Sequence, residues 1–217
     1  MKVAGIDENG RGCIIGPLVI TAFICEEEKI EELRNLGVKD SKELSKEKRE
    51  KISEKLLEIG YYKQKIISAS EINYYMLKKK ISLNDLEIMK IAELINETDA
   101  EKYYIDAISF PKKFVEKLKR FVKRNVEIVA ENKMDKKNLV VAAASIIGKV
   151  TRDREIEKIK EEIGIDFGSG YVSDEKTRKF IELVVKEKRE YDFIRKGWIT
   201  YKEETNKIKT KSIIDFI

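Results

Sequence analysis

Lys2-Val3-Ala4-Gly5-Ile6-Asp7-Glu8-Asn9-Gly10-Arg11-Gly12 is the stretch on which the reading of this chain turns. Val3 to Glu8 has the composition of a strand, and it ends on two acids. Asn9 to Gly12 then makes a turn in which glycines can adopt positive φ. An apolar run, Ile14 to Cys25, reads as the returning strand. In open α/β sheets, residues beyond the carboxyl ends of strands converge on the ligand crevice, so acids at such an end are candidates for chemistry.

Working outward, residues 26–36 read as a short helix and residues 39–42 as a polar loop. Ser45 is placed to cap a helix reaching Ile59, with Leu44, Ile52, Leu56, Leu57 and Ile59 as its apolar stripe and Gly60 as its stop. Tyr61 to Ala69 reads as a third strand. Asn84 with Glu87 suggests a capping box for a helix ending near Glu97. Tyr103 to Ile108 is a short strand, Pro111 opens a helix to Arg124, Val126 to Ala130 is a further strand, and a helix spans Asn138 to Glu162. A glycine-rich loop covers 164–171, and Ser173 is placed to cap a helix to Lys188. Three early strands followed by helix–strand–helix units imply an α/β fold with a mixed five-stranded sheet flanked by helices. One domain over residues 1–190 with a helical C-terminal extension, 191–217, is the economical division.

Composition narrows the chemistry. The 217 residues include no histidine and only two cysteines, Cys13 and Cys25. A Ser-His-Asp triad, a Cys-His pair and a His- or Cys-built zinc site are therefore excluded. Any catalysis must rest on carboxylates with hard metals, or on lysines. Charged residues make up 39% of the chain, with a net charge of +5, a bias of the kind seen in hyperthermophile proteins. The positive charge is uneven: Lys112, Lys113, Lys117, Lys119, Arg120, Lys123 and Arg124 face a single acid, Glu116, in one stretch. That suits a polyanionic partner, although a solvated helix face would look the same. No apolar run approaches the ~18 residues of a membrane span, and the N-terminus has no signal-peptide anatomy, so a cytoplasmic monomer with no membrane association is expected.

Three strand ends carry acids: Asp7 with Glu8, then Asp106, then Asp135. Asp106, set among Tyr104, Ile105, Ala107 and Ile108, would be costly to bury unpaired. Clustered carboxylates repel one another, and divalent Mg²⁺ or Mn²⁺ relieves that repulsion through oxygen ligation. Two such ions about 4 Å apart can activate water and stabilise a leaving oxygen in phosphodiester hydrolysis. Adjacent strand residues face opposite sides, so Glu8 joins Asp7 only if the glycine turn twists the strand end.

Gly5 to Gly12, Asp40-Ser41-Lys42, Ile105-Asp106, Ala130-Glu131-Asn132-Lys133-Met134-Asp135, Ala144 to Val150 and Gly168-Ser169-Gly170-Tyr171 together resemble the motif series of the type HII ribonucleases. The series runs in order over nearly the whole chain. The resemblance implies a ribonuclease H-like fold and an endonuclease of DNA replication and repair. Such an enzyme hydrolyses the RNA strand of RNA–DNA hybrids and cuts 5′ of ribonucleotides embedded in duplex DNA, with two metal ions. It implies Asp7, Glu8, Asp106 and Asp135 as the catalytic metal ligands. By the same resemblance Gly10, Arg11 and Gly12 contact the ribose 2′-OH and its phosphate, Lys42, Ser145 and Lys149 bind phosphates, and Tyr171 packs on the sugar at the junction. Ser145, Lys149 and Arg152 share one helix face. The chain departs from the family pattern at Asn9, Cys13, Asn132 and Val172, none of them a metal ligand.

Two other readings stand beside this one. Another metal-dependent nuclease of the same superfold, a resolvase or exonuclease, would not need the glycine–arginine–glycine turn or Tyr171. A catalytically inactive nucleic-acid-binding module would not need all four acids. Finally, Ile213, Phe216 and Ile217 resemble the motif that docks on the sliding clamps of replication, with Thr210 where that motif usually has glutamine. The alternative is a tail that folds back on its own domain.

Overall fold

The structure is a computed structural model that describes residues 1–39, 41–107 and 110–214, with side chains described as far as residue 207 except at Lys42. Strands β1 (Lys2–Asn9), β2 (Leu18–Glu26), β3 (Gly60–Ile67), β4 (Lys102–Asp106) and β5 (Glu127–Glu131) form one sheet in the order β3-β2-β1-β4-β5. β1 is antiparallel to β2 and parallel to β4, and β4 is parallel to β5, so the sheet is mixed as the pattern implied. β2 is buried from Leu18 to Cys25, which explains its continuous apolar run. β3, at the sheet edge, exposes Tyr61, Tyr62 and Lys63 instead, a charged and polar edge that discourages further pairing.

The helices are α1 (Ile30–Asn35), α2 (Lys46–Ile59), α3 (Ala69–Asn73), α4 (Leu83–Glu97), α5 (Pro111–Lys119), α6 (Leu139–Ile163), α7 (Glu175–Lys186) and α8 (Ile199–Ile214). The Ser45 hydroxyl accepts from the Lys48 N–H and starts α2, as its place in the sequence predicts. The Asn138 side chain accepts from the N–H groups of Val140 and Val141 at 2.9 and 3.2 Å and so caps α6.

The chain divides into two compact units. The first comprises Met1–Asn9, Val19–Ile66 and Leu83–Thr151. On one face of its sheet Val3, Phe23, Cys25, Leu56, Val140 and Ile147 belong to a single buried cluster. Small residues let α6 lie almost on the backbone of β1. A methyl group at Gly5 would stand 2.2 to 2.3 Å from the main-chain atoms of Val140 and Val141, and one at Gly148 would stand 2.1 Å from Asn9 Oδ1. On the other face, Tyr103 shares a hydrogen bond of 2.8 Å with Thr98 and bonds the carbonyl of Ile95.

The second unit comprises Gly10–Leu18, Ile67–Ser82 and Arg152–Ile217. Its core gathers Ile14, Ile15, Ile156, Phe180, Val184 and Ile194. The rings of Phe167, Phe193, Tyr191 and Phe180 adjoin in a chain, with Tyr191 and Phe193 stacked at 4.8 Å. Tyr191, Phe193, Ile194, Trp198 and Tyr201 all pack into this core.

Several expectations change. β2 begins at Leu18, not Ile14, because the backbone groups of Ile14 and Ile15 pair with Gly170 and Arg195 and not with β1. Instead, Cys13 bridges to Tyr171 and Ile15 to Ile194. Leu57 is 56% exposed and leaves the α2 stripe, since it lies one residue past Leu56 and so points elsewhere. α4 starts at Leu83, one residue ahead of Asn84, and Glu87 is wholly buried. α5 stops at Lys119; Arg124 instead gives its guanidinium to the carbonyls of Ile95 and Thr98. The α7 cap is Asp174, not Ser173. Helix α3 and the π-turn Tyr74–Lys78 that follows it had no counterpart in the reading of the sequence.

Candidate active site

The β1–β4 register builds the first part of the site. Gly5 pairs with Tyr104 and Ile6 with Ile105, so the next step brings Asp7 beside Asp106 at the carboxyl ends of two parallel strands. Asp106 also pairs with Glu131 of β5, which makes β4 an interior strand. Past β5, Lys133 turns the chain in the left-handed region with φ at 59°, and a 3₁₀ turn, Met134–Lys136, follows. This turn buries Asp135 and directs the Met134 N–H to Asp106 Oδ1 at 3.2 Å.

Asp7 is 6% exposed. Burial, reinforced by the charges of Asp106 and Asp135, pushes its carboxyl up to about 7, while hydrogen bonds from Ser145 and the Glu8 backbone pull the other way. Asp106 and Asp135 are thus near enough to Asp7 for their charges to act on it. Ser145 reaches Asp7 because α6 lies so close to β1. Its hydroxyl also meets that of Ser41 at 2.9 Å, and Arg49 anchors the Ser41 turn through the carbonyls of Ser41 and Leu44. Asp135 and Lys39 line a cleft of about 220 Å³ together with Glu43, Lys136 and Asn138.

Glu8 stands differently. β1 pairs regularly with β2 as far as Asn9, so the pleat turns Glu8 toward the face opposite Asp7, where it is half-buried. Lys149 is half-buried on α6. The side chain of Lys42 lies outside the described residues. Among the described residues no three acidic or cysteine side chains stand assembled around one point for an ion. The donor chemistry nevertheless suits a hard divalent cation, because it consists of carboxylate and hydroxyl oxygens with neither imidazole nor thiolate.

The second unit holds the glycine turn and the tyrosine. Gly10 has φ of +83°, and a methyl group there would meet the Pro17 carbonyl oxygen at 2.8 Å. Gly12 is exposed, and a methyl group there would meet nothing nearer than the Tyr171 ring at 4.0 Å. The fold itself therefore does not demand glycine at position 12. Arg195, fully buried, donates to the carbonyls of Arg11 at 2.9 Å and Gly16 at 3.0 Å. The loop carrying Tyr171 is tied to the start of α7: Asp174 accepts from the Ser169 N–H at 2.7 Å and Thr177 from the Gly170 N–H at 3.0 Å. The Arg152 guanidinium lies 4.8 Å from the Tyr171 ring centre, and burial raises the phenol to about 12.

Sequence reasoning missed Arg195 and Thr177 and gave Arg152 only a place on a helix face. Arg195 follows no periodicity and is 184 residues from the carbonyl it holds; nothing local marks it.

With this geometry in hand, comparison with known proteins is specific. The family model described as Ribonuclease HII matches residues 4–201. A ribonuclease HII from Methanocaldococcus jannaschii is 45% identical over 99% of this chain and 100% of its own length. Among solved structures, the ribonuclease H2 of Pyrococcus horikoshii superposes with a TM-score of 0.87 at 41% identity, covering 96% of this chain and 99% of that one. The PCNA–RNase HII complex of Archaeoglobus fulgidus gives 0.84 at 39% identity, with 91% and 95% covered.

Proposed function

We propose that this chain, which belongs to the ribonuclease HII family and is a ribonuclease H, cuts the RNA strand of RNA–DNA hybrids and also nicks duplex DNA 5′ of an embedded ribonucleotide. The observation that carries this reading is the convergence of Asp7, Asp106 and Asp135 at the ends of adjoining strands, with the Asp7 carboxyl raised by burial and, after it, by the charges of Asp106 and Asp135. Asp7, Asp106 and Asp135 are the residues that would hold Mg²⁺ or Mn²⁺, with Glu8, on the opposite face of β1, as the fourth ligand that the family resemblance adds. A divalent pair held there would supply the Lewis acidity that hydrolysis of the phosphodiester needs.

The chain's own groups do the rest. Ser145 orients the Asp7 carboxyl, and Ser41 fixes the Ser145 hydroxyl. Lys42 and Lys149 offer positive charge to substrate phosphates. Gly12 leaves open space in which a backbone can approach a ribose 2′-OH, the group that separates RNA from DNA, while Arg195 holds the Arg11 peptide in place. Tyr171, clamped under Arg152, presents a fixed ring to the sugar at the junction.

We assign catalysis to residues 1–190 and treat 191–217 as an extension, packed through Tyr191 to Tyr201 into the second unit's core, from which Arg195 supports the glycine turn. Among the described residues no helix is long and apolar enough to cross a membrane, and a cytoplasmic place beside the replication machinery fits the reading. The relative from Archaeoglobus fulgidus was solved in complex with PCNA, and we propose the corresponding clamp as a partner here, engaged through Ile213, Phe216 and Ile217. Phe216, Ile217 and the side chain of Ile213 lie outside the described residues.

The test uses the pure protein with a hybrid, with an all-DNA duplex and with a DNA duplex containing one ribonucleotide, each with Mg²⁺, Mn²⁺ or a chelator. Metal-dependent cutting of the first and third is expected, leaving a 3′-hydroxyl and a 5′-phosphate. A 2′,3′-cyclic phosphate product would make the 2′-OH the nucleophile and overturn the mechanism.

A further inference from the structure

Arg152 is an expensive residue for a protein interior. Its side chain is 2% exposed, and it pairs with the Asp153 carboxylate at 3.5 Å. The guanidinium is satisfied mainly by weaker acceptors. Nη2 donates to the Ser169 carbonyl at 2.5 Å and to Cys13 Sγ at 2.8 Å, and Nε, although buried, has no hydrogen-bond partner among the described residues. A buried cation satisfied this way adds little to stability, and apolar residues of like size often serve as well or better.

What Arg152 touches accounts for its presence. Its Cζ lies over the Tyr171 ring, 4.8 Å from the ring centre. Its Cγ would stand 3.3 Å from a methyl group at Gly10, and its Nη2 would stand 3.1 Å from one at Gly170. Cys13 and Tyr171 form a β-bridge, and the Gly170 carbonyl accepts from Ile14 at 2.9 Å. One side chain thus bears on both ends of the Gly10–Cys13 turn and on the Ser169–Tyr171 loop. These segments lie about 160 residues apart in the chain.

We propose that Arg152, with Cys13 as its sulfur acceptor, is a positioning residue for ribose recognition. It locks the glycine turn and the tyrosine loop into one rigid surface and so sets the preference for a single embedded ribonucleotide. A planar guanidinium can stack on a ring and bond in its own plane at the same time, which an ammonium cannot. Cys13 is the counterpart on the turn: its residue is fully buried and its sulfur accepts from Arg152. Loosening this clamp leaves the aspartate cluster intact, since its residues belong to the other unit. The expected deficit therefore falls on substrate choice.

This inference rests on the reading of Tyr171 as the residue that meets the junction sugar, and the experiment separates the two. Arg152→Met, Arg152→Lys, Cys13→Ala, Tyr171→Ala and the double variant Arg152→Met with Tyr171→Ala are compared with the parent. kcat and KM are measured on a long hybrid and on a duplex with one ribonucleotide. Arg152→Met is expected to lower kcat/KM for the single ribonucleotide about tenfold more than for the hybrid, equivalent to about 1.4 kcal/mol. Arg152→Lys and Cys13→Ala should show the same bias to a smaller degree, and Arg152→Met should add no further bias to Tyr171→Ala. Should Arg152→Met fail to fold, the lysine and Cys13 variants carry the comparison. Equal losses on both substrates, or additive effects in the double variant, overturn the positioning role. If Tyr171→Ala is selective and the Arg152 and Cys13 variants are not, this inference fails alone. If Tyr171→Ala itself loses both activities equally, the reading of Tyr171 fails and takes the clamp with it.

Discussion

Replacing Asp7 by asparagine should make the metal-free protein more stable at neutral pH and no more stable at acidic pH. An aspartyl group ordinarily titrates near 3.8, and in the folded chain burial and the charges of Asp106 and Asp135 raise Asp7 to about 7. The folded state therefore holds a proton that the unfolded state has already lost. Stability from this group is fully present below about pH 4 and is lost as pH rises to about 7, after which the loss is constant. Three pH units at about 1.4 kcal/mol each set an upper bound of about 4 kcal/mol. Asparagine keeps the shape and cannot ionise, but it is a weaker acceptor for Ser145 and the Glu8 N–H, so about half that gain is expected. For a chain of this size, about 2 kcal/mol corresponds to a rise in Tm of roughly 4–8 °C. The assay is thermal unfolding of both proteins in chelator from pH 4 to 9, read as the difference between them, which cancels groups common to both. Added Mg²⁺ should then stabilise the parent preferentially and shrink the gap. A difference that is flat with pH, or that favours the parent at pH 8 in chelator, would show that Asp7 is not a desolvated member of an acidic cluster.

Asp106→Asn and Asp135→Asn should each nearly abolish cleavage on every substrate while circular dichroism and gel filtration remain those of the parent; undiminished turnover in either would remove it from the site. Gly5→Ala should destabilise the fold by about 1–3 kcal/mol in urea titration, because the methyl group would stand 2.2 Å from the backbone of α6. It should also lower kcat by drawing Ser145 away from Asp7, whereas unchanged stability would mean that α6 is not seated on β1. Deleting residues 210–217 should abolish binding to the sliding clamp in surface plasmon resonance and leave basal cleavage as it was, and a truncation that unfolds the protein would identify the tail as structural instead.

The chemistry was legible in the sequence because it depends on residue type. A chain without histidine, with acids at the ends of three apolar runs, has few routes to catalysis other than oxygen-ligated metal. Alternating and helical periodicities likewise located the five strands and most helices, and Ser45 and Gly60 marked the ends of α2 as expected, since caps and stops act on their own neighbours. Ile14 and Ile15 escaped that logic: an apolar run announces burial without naming the surface it is buried against, and these two entered the second unit's core. The alternation of Asp7 and Glu8 was also legible, and the structure keeps it. Only tertiary structure could set Ser41 against Ser145, Arg152 against Cys13 and Arg195 against the Arg11 carbonyl, at separations of 104, 139 and 184 residues. Local propensity reaches across a turn or two of chain. A hydrogen bond between distant residues exists only after strand register and helix seating have brought their atoms within about 3 Å, and those are decided by packing of the whole core.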